Sequence, residues 1–406
     1  MNIKRYFIFL SLCLPLCLHA QINYSTTLDI SHGAALHIEA RAAVLIDANT
    51  GTILYAKNPD DIIPPASLVK LMTMHIAMRE IQEGRASYDE IIPITVESWA
   101  QSQPRNSSLM FLEPGQTVTL REILLGLAVA SGNDAAVAVA LRFAPSMRDF
   151  ANLMTREARR MGLNVTRFVE SSGISGTNIT TAAEFASFCR QYVQMHPHSM
   201  EEFHSVQEFA YPLEINVLPR HSSRPRTITQ DNRNSLLKTF PGVDGLKTGF
   251  IIESGFNIAL TAQRDGTRFI LVLLGGPSGR RGAIIRAGDS ALLLNWAFDN
   301  FKTVHPNIEE IENVRLWKGK ANNAVLRLLE SPDFTAPVAR AQNLYYEVFI
   351  PNQLIAPIPK DFPVGYLSIS DDYGELSRTP LVTVEAYERG NAFKRFFHSI
   401  ALLFKK

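Results

Sequence analysis

The sequence predicts an α+β architecture: a mainly antiparallel sheet packed with helices, then a small all-β domain. Three observations lead there. Strand-like runs stand both near residue 40 and beyond residue 240. Segments of helical period fill the interval. From about residue 303 the chain breaks into short apolar runs separated by turn-rich gaps.

ARAAVLIDANTGTILYAKN, from Ala40, alternates on both sides of Asn49-Thr50-Gly51 and predicts a hairpin. PPASLVKLMTMHIAM, from Pro64, predicts a helix. Proline suits its first turn, where a missing N–H breaks no helical bond, and Leu68, Leu71, Met72, His75 and Ile76 keep the period. REILLGLAVA begins at Arg121, with Thr117 and Thr119 available as caps. DAAVAVALRFA from Asp134, MRDFANLMTREARRMG ending at Gly162, and TAAEFASFCRQYVQM capped by Thr180 or Thr181 are further helices. VDGLKTG, FNIALTAQ and TRFILVLLGG return to strand, the last two joined at Arg264-Asp265-Gly266. VRLWKG, AVLRLLE, LYYEVFIP, VGYLSIS and LVTVEAY read as a small β-sandwich over residues 303–388, punctuated by Pro332, Pro351, Pro357 and Pro363.

The two ends carry targeting signals. MNIKRYFIFLSLCLPLCLHA has Lys4 and Arg5, an apolar run from Tyr6 to Leu18, and Ala20. That pattern is a signal peptide over residues 1–20, cut near Ala20, with an uncut anchor as the alternative. Leu16 before Cys17 argues against lipidation. The mature chain keeps one cysteine, Cys189, so no internal disulfide forms. At the other end, residues 389–406 place Phe393, Phe396, Phe397, Ile400, Leu403 and Phe404 on one stripe, with Lys394, Arg395, His398, Lys405 and Lys406 off it. This is too short to span a bilayer and suits its surface; the alternative is a helix docked on the protein itself.

Composition excludes several functions. A net charge of +1 gives no field that favours nucleic acid. The chain has no H-E-x-x-H, no G-x-S-x-G, and no Rossmann or P-loop glycine pattern; His196-Pro197-His198 falls in a loop. No metal and no cofactor is expected.

The chemistry centres on Ser67 and Lys70. Three residues is about one helical turn, so both side chains share a face. Serine is a poor nucleophile until a base takes its proton, and lysine is a base only when neutral. Burial or a nearby cation must lower its pKa by several units. A second Ser-x-x-Lys, Ser235 and Lys238, shows that the spacing alone decides nothing. Two more stretches complete the set. ASGND offers Ser131 as a hydroxyl and Asn133 as donor and acceptor at a helix junction. LKTG offers the cation Lys247, the hydroxyl Thr248, and Gly249 as clearance along a strand. The order S-x-x-K, S-x-N, K-T-G selects Ser67 over Ser235.

With PASLVKLMT, NSSLMFLEPG, ASGNDAAVAVA, MGLNVTRFVESSG, VDGLKTGF and SGFNIALTA in this order, the sequence resembles the exported D-alanyl-D-alanine carboxypeptidases, the low-molecular-mass penicillin-binding proteins. The resemblance covers nearly the whole chain. It implies a serine β-lactamase/transpeptidase-like catalytic domain over residues 21–302. It also implies a peptidoglycan stem peptide as substrate, β-lactams as inhibitors and a place at the outer face of the cytoplasmic membrane. Carried over, Ser67 is the nucleophile, Lys70 its base, and Ser131 the proton relay to the leaving amine. Asn133 positions the substrate amide, Lys247 and Thr248 hold the terminal carboxylate, and the charge of Lys247 lowers the pKa of Lys70. The backbone N–H groups of Ser67 and Phe250 form the oxyanion hole. The chain departs from the family's pattern at Phe250-Ile251, where His and a small residue are common, and at Ser171-Ser172-Gly173, where Pro-His-Gly is frequent. A class A β-lactamase, a D,D-endopeptidase and a non-catalytic peptidoglycan-binding protein are the rival readings; the first lacks its E-x-x-L-N loop here.

Overall fold

The computed structural model describes Lys4–Ile8 and residues 36–221, 227–308 and 310–404. They form two compact units, one within 33–299 and one within 300–406 that also takes in Lys4–Ile8, strand β1. The remainder of the expected leader, with Cys17 and the cut near Ala20, lies outside the described residues, as do Lys405 and Lys406.

In the first unit, β2 (Ala42–Asp47) and β3 (Ile53–Lys57) make the expected hairpin, its turn pinned by the Asn49 N–H donating to Asp47 Oδ1 at 2.8 Å. The next helix starts later than its prolines imply. Ala66 has φ of +52°, so Ala66–Leu68 is a separate 3-10 turn and α1 runs Val69–Gln82. Its first ten residues are all buried, polar ones included, because helices and sheet enclose it on every side. Thr73 therefore donates to the Ser171 carbonyl at 2.7 Å, and His75 bonds His196 and Glu157. His196 is a core residue.

α2 (Leu120–Leu125) starts at a Thr119–Glu122 capping box and runs into a π-helical turn, Gly126–Ala130. α3 (Asn133–Phe143), α4 (Met147–Arg160) and α5 (Ala182–Met195), the last capped by Thr181, match the expected helices. A ribbon of β4 (Glu208–Tyr211) and β5 (Ile228–Asp231) and the short α6 (Leu236–Thr239) precede β6 (Val243–Ile251), β7 (Gly255–Arg264) and β8 (Thr267–Gly276). The antiparallel sheet has the order β3-β2-β8-β7-β6, so the first hairpin joins the last strands.

One face of this sheet, with Val44, Ile46, Ile270 and Val272, packs into the helical core. The sequence reading assigns no element to residues 282–300; they form α7 (Gly282–Asn300), whose period is interrupted by the buried polar residues Arg286, Asp289 and Ser290. It contributes Phe298, which rests 4.8 Å from the Phe269 ring of β8.

In the second unit, β9 (Phe301–Val304) pairs with β12 (Phe334–Pro337). β10 (Ile311–Trp317), β11 (Asn323–Leu328), β13 (Tyr345–Pro351), β14 (Leu354–Ile355), β15 (Pro363–Asp371) and β16 (Gly374–Thr383) form a sheet of order β1-β13-β15-β16-β11-β10-β14. The tail forms α8 (Ala392–Leu403), capped by Asn391. Its polar side faces the unit: Lys394 donates to the Lys320 carbonyl at 2.8 Å, and His398 Nδ1 accepts from the Lys318 N–H at 2.7 Å. The apolar stripe points to solvent, with Phe396 62 % and Leu403 79 % exposed.

Candidate active site

Ser67 stands in the 3-10 turn and Lys70 in the first turn of α1, as their spacing requires, and Lys70 Nζ lies 3.0 Å from Ser67 Oγ. Two further acceptors hold the amine: Asn133 Oδ1 at 2.8 Å and the Ser172 carbonyl at 2.6 Å. Burial pushes Lys70 down to about 7; Glu170 and Asp134 oppose the shift, and Arg233 reinforces it. Its three N–H bonds have three acceptors. When the amine loses a proton, its lone pair needs a donor, and of the three only the Ser67 hydroxyl carries a hydrogen. The geometry thus leaves Ser67 as the partner from which a neutral Lys70 could take a proton.

The second Ser-x-x-Lys lacks this environment. Ser235 is exposed, and the exposed Lys238 donates to Asp231 at 2.7 Å, which raises its pKa instead.

Ser131 ends the π-helical turn in a left-handed conformation, φ +59°, and is buried. The next residue must be glycine: a Cβ at Gly132 would stand 2.7 Å from Asp134 Oδ1 and 3.0 Å from the Met110 nitrogen. There the Asp134 carboxylate accepts from the N–H groups of Met110, Phe111 and Leu112, at 2.9, 2.8 and 3.0 Å. That clamp fixes the segment holding Asn106 and Ser108 beside Ser131.

On the other side stands β6. Thr248, Gly249 and Phe250 line a cavity of about 710 Å³ with Ser67, Ser131, Asn106, Ser108, Gln230, Asp231 and Asn232, and with Arg233, Phe256, Ala283 and Arg286. Gly249, besides lining the cavity, lets the strand close on the Ser67 turn: a Cβ there would meet the Pro65 carbonyl and the Ser67 nitrogen, both at 3.0 Å. Lys70, Asn133 and Lys247 lie beneath this lining. Lys247 donates to the Thr248 carbonyl at 3.1 Å. Burial holds it well below the ordinary lysine range, and the charges of Lys70, Arg233 and Arg286 add to the effect. Asn133 gives its side-chain oxygen to Lys70.

Comparisons with known proteins identify the family. Residues 29–278 match the D-alanyl-D-alanine carboxypeptidase family, Peptidase S11, and 298–389 match the C-terminal domain of penicillin-binding protein 5. The chain belongs to the D-alanyl-D-alanine carboxypeptidase family. It is 31 % identical to the carboxypeptidase DacC of Escherichia coli over 90 % of this chain and 89 % of that one. Penicillin-binding protein 5 of Haemophilus influenzae superposes with a TM-score of 0.77 at 27 % identity, covering 88 % of this chain and all of that one. Penicillin-binding protein D2 of Listeria monocytogenes, in its ampicillin-bound form, does so with a TM-score of 0.55 at 26 % identity, over 65 % of this chain and 100 % of that one. This family member is therefore a serine hydrolase.

Sequence reasoning marked Ser171-Ser172-Gly173 but not its contact with Lys70. Glu170 accepts from the Ser172 N–H at 2.6 Å and the Gly173 N–H at 2.8 Å, holding the Ser172 carbonyl over Lys70. The departure at Ser171-Ser172-Gly173 thus touches Lys70 directly, through a backbone carbonyl. Gly173 has φ of +82°, and a Cβ there would overlap the Ala66 carbonyl. Arg233 and Arg286 had no motif to mark them; Asp134, adjoining S-G-N, did.

Gly173→Ala is expected to lower the unfolding free energy by about 3 kcal/mol, combining left-handed strain with overpacking. Gly84→Ala has a similar φ, +73°, but nothing within 4 Å. Its cost should stay near 1 kcal/mol, the backbone effect alone. Urea unfolding of both variants measures the difference.

Proposed function

We propose that the protein removes the terminal D-alanine from peptidoglycan stem peptides through an acyl-enzyme on Ser67. The observation that carries this reading is the buried Lys70 amine with Ser67 as its one hydrogen-bearing partner. Ser67 Oγ attacks the carbonyl of the penultimate D-alanine as Lys70 takes the hydroxyl proton. The backbone N–H groups of Ser67 and Phe250 receive the oxyanion. Ser131 passes a proton to the leaving amine, and water then frees Ser67. Asn133 keeps Lys70 in place and orients the substrate amide.

Thr248 and Lys247 hold the terminal carboxylate. A bound anion favours the ammonium form of Lys247, and that charge favours the neutral amine of Lys70. β-Lactams acylate the same serine because they present a carboxylate and a reactive carbonyl in place of the dipeptide. The relative captured in its ampicillin-bound form supports this.

The protein works at the cell envelope, exported by residues 1–20 and held at the outer face of the cytoplasmic membrane by α8. Among the described residues no helix is long and apolar enough to cross a membrane. The outward apolar stripe of α8 supports a surface anchor.

Ser67→Ala is expected to abolish both the penicilloyl adduct seen by mass spectrometry and D-alanine release from diacetyl-L-Lys-D-Ala-D-Ala. Ser235→Ala should change neither; the opposite pattern would identify the other serine as nucleophile.

Lysine is neutral above its pKa, so the rate of Ser67 acylation should rise with pH through about 7 and then level off. Lys70→Arg, which keeps the charge but cannot lose the proton, should slow acylation by about 10²–10⁴-fold, measured by penicillin trapping across pH.

Sedimentation with anionic lipid vesicles should carry down the full chain, and Phe396→Glu with Leu403→Glu should leave it in the supernatant. Equal sedimentation of both would remove α8 as the anchor.

A further inference from the structure

The cavity is not uniform. On a strand, alternate residues share a face, so Thr248 and Phe250 look the same way, into the cavity. Phe250 is 45 % exposed there, and its ring centre lies 4.4 Å from that of Phe256, which also lines the cavity. Arg286 stands above Phe256, its guanidinium 5.6 Å from the ring centre. It is only 7 % exposed, and its Nε makes no hydrogen bond among the described residues.

Small residues at the start of α7 let the Phe256 ring pack against it. A Cβ at Gly282 would overlap the Phe256 ring, and Ala283 adds only a methyl to the lining. Beside the groups that would grip a carboxylate, the protein therefore presents the half-exposed Phe250 ring, the more buried Phe256 ring and a methyl. The far rim is polar, with Asn106, Ser108 and Gln230.

A terminal residue bound by its carboxylate at Thr248 would set its side chain against this aromatic wall. The methyl of D-alanine covers little of it. The half-exposed Phe250 ring favours a larger apolar substituent, which removes more ring surface from water.

We infer that this corner is a subsite for a bulky apolar side chain, so that the enzyme releases terminal D-amino acids larger than D-alanine, such as D-leucine and D-phenylalanine. The inference rests on the carboxypeptidase reading above and concerns only the leaving residue. The bond broken is the amide between the penultimate D-alanine and that residue. The acyl group stays on Ser67, the leaving amine takes the relayed proton, and water restores the serine.

The test uses the full chain and three peptides, diacetyl-L-Lys-D-Ala-X, with X as D-alanine, D-leucine or D-phenylalanine. Because the acylating half is constant, kcat/KM for release of X reports the leaving subsite. D-Leucine and D-phenylalanine should be released within about tenfold of D-alanine. Phe250→Ala should cost the D-phenylalanine peptide about tenfold more than the D-alanine peptide, and Phe250→Leu should recover most of that selectivity. Thermal melts check that both variants fold.

D-Alanine release accompanied by at least hundredfold slower release of the larger residues would overturn the inference and leave the carboxypeptidase reading intact. Equal loss on all three peptides in Phe250→Ala would overturn it too. No D-alanine release, with no penicilloyl adduct on the wild-type chain, would overturn both.

Discussion

The site depends on one buried amine. Lys70 sits where water cannot reach it, yet each of its N–H bonds meets an oxygen. Burial alone would expel a charge; the Glu170 and Asp134 carboxylates favour one. Together they leave Lys70 near 7, where a single proton can be lost and regained at neutral pH. An isolated lysine would remain charged and useless as a base. The three acceptors come from three segments: the nucleophile's own turn, the start of α3, and the Glu170–Gly173 loop. Any shift in one of these changes the proton affinity of Lys70.

Convergence of these segments requires close backbone approach, and glycine supplies it. Gly132 leaves room for the Asp134 clamp, Gly173 meets the Ala66 carbonyl, and Gly249 lets β6 lie against the Ser67 turn. A side chain at any of them would push apart two pieces of backbone that must touch. The same economy explains the left-handed residues Ala66 and Ser131, each beside the chemistry. Strain of this kind persists only where surrounding contacts over-determine it, and here helix, loop and sheet do so from three sides.

The second unit answers a different problem. Its tail could have buried an apolar face on the protein, but His398 and Lys394 bond inward instead and turn the phenylalanines out. A stripe of six apolar residues left in water is unfavourable for a chain free in solution. The proposed lipid surface would cover it.

Much of this was legible in the sequence. Local spacing determines that Ser67 and Lys70 share a helical face, and hydrophobic period locates α3, α4, α5 and the strands β6 to β8. These are properties of neighbouring residues, set by sterics and backbone geometry. Motif order chose Ser67 over Ser235, but the physical difference between them is environmental: one lysine lies in the core, the other in solvent beside a carboxylate. Only the tertiary structure decided that Ser172 offers its carbonyl to Lys70, that Asn133 turns to the base, that Gly249 serves the protein's own backbone, and that Arg233 and Arg286 enter the cavity. Those facts depend on contacts between residues far apart in the chain, and desolvation, which sets the proton affinity of Lys70, exists only once the fold has closed around it.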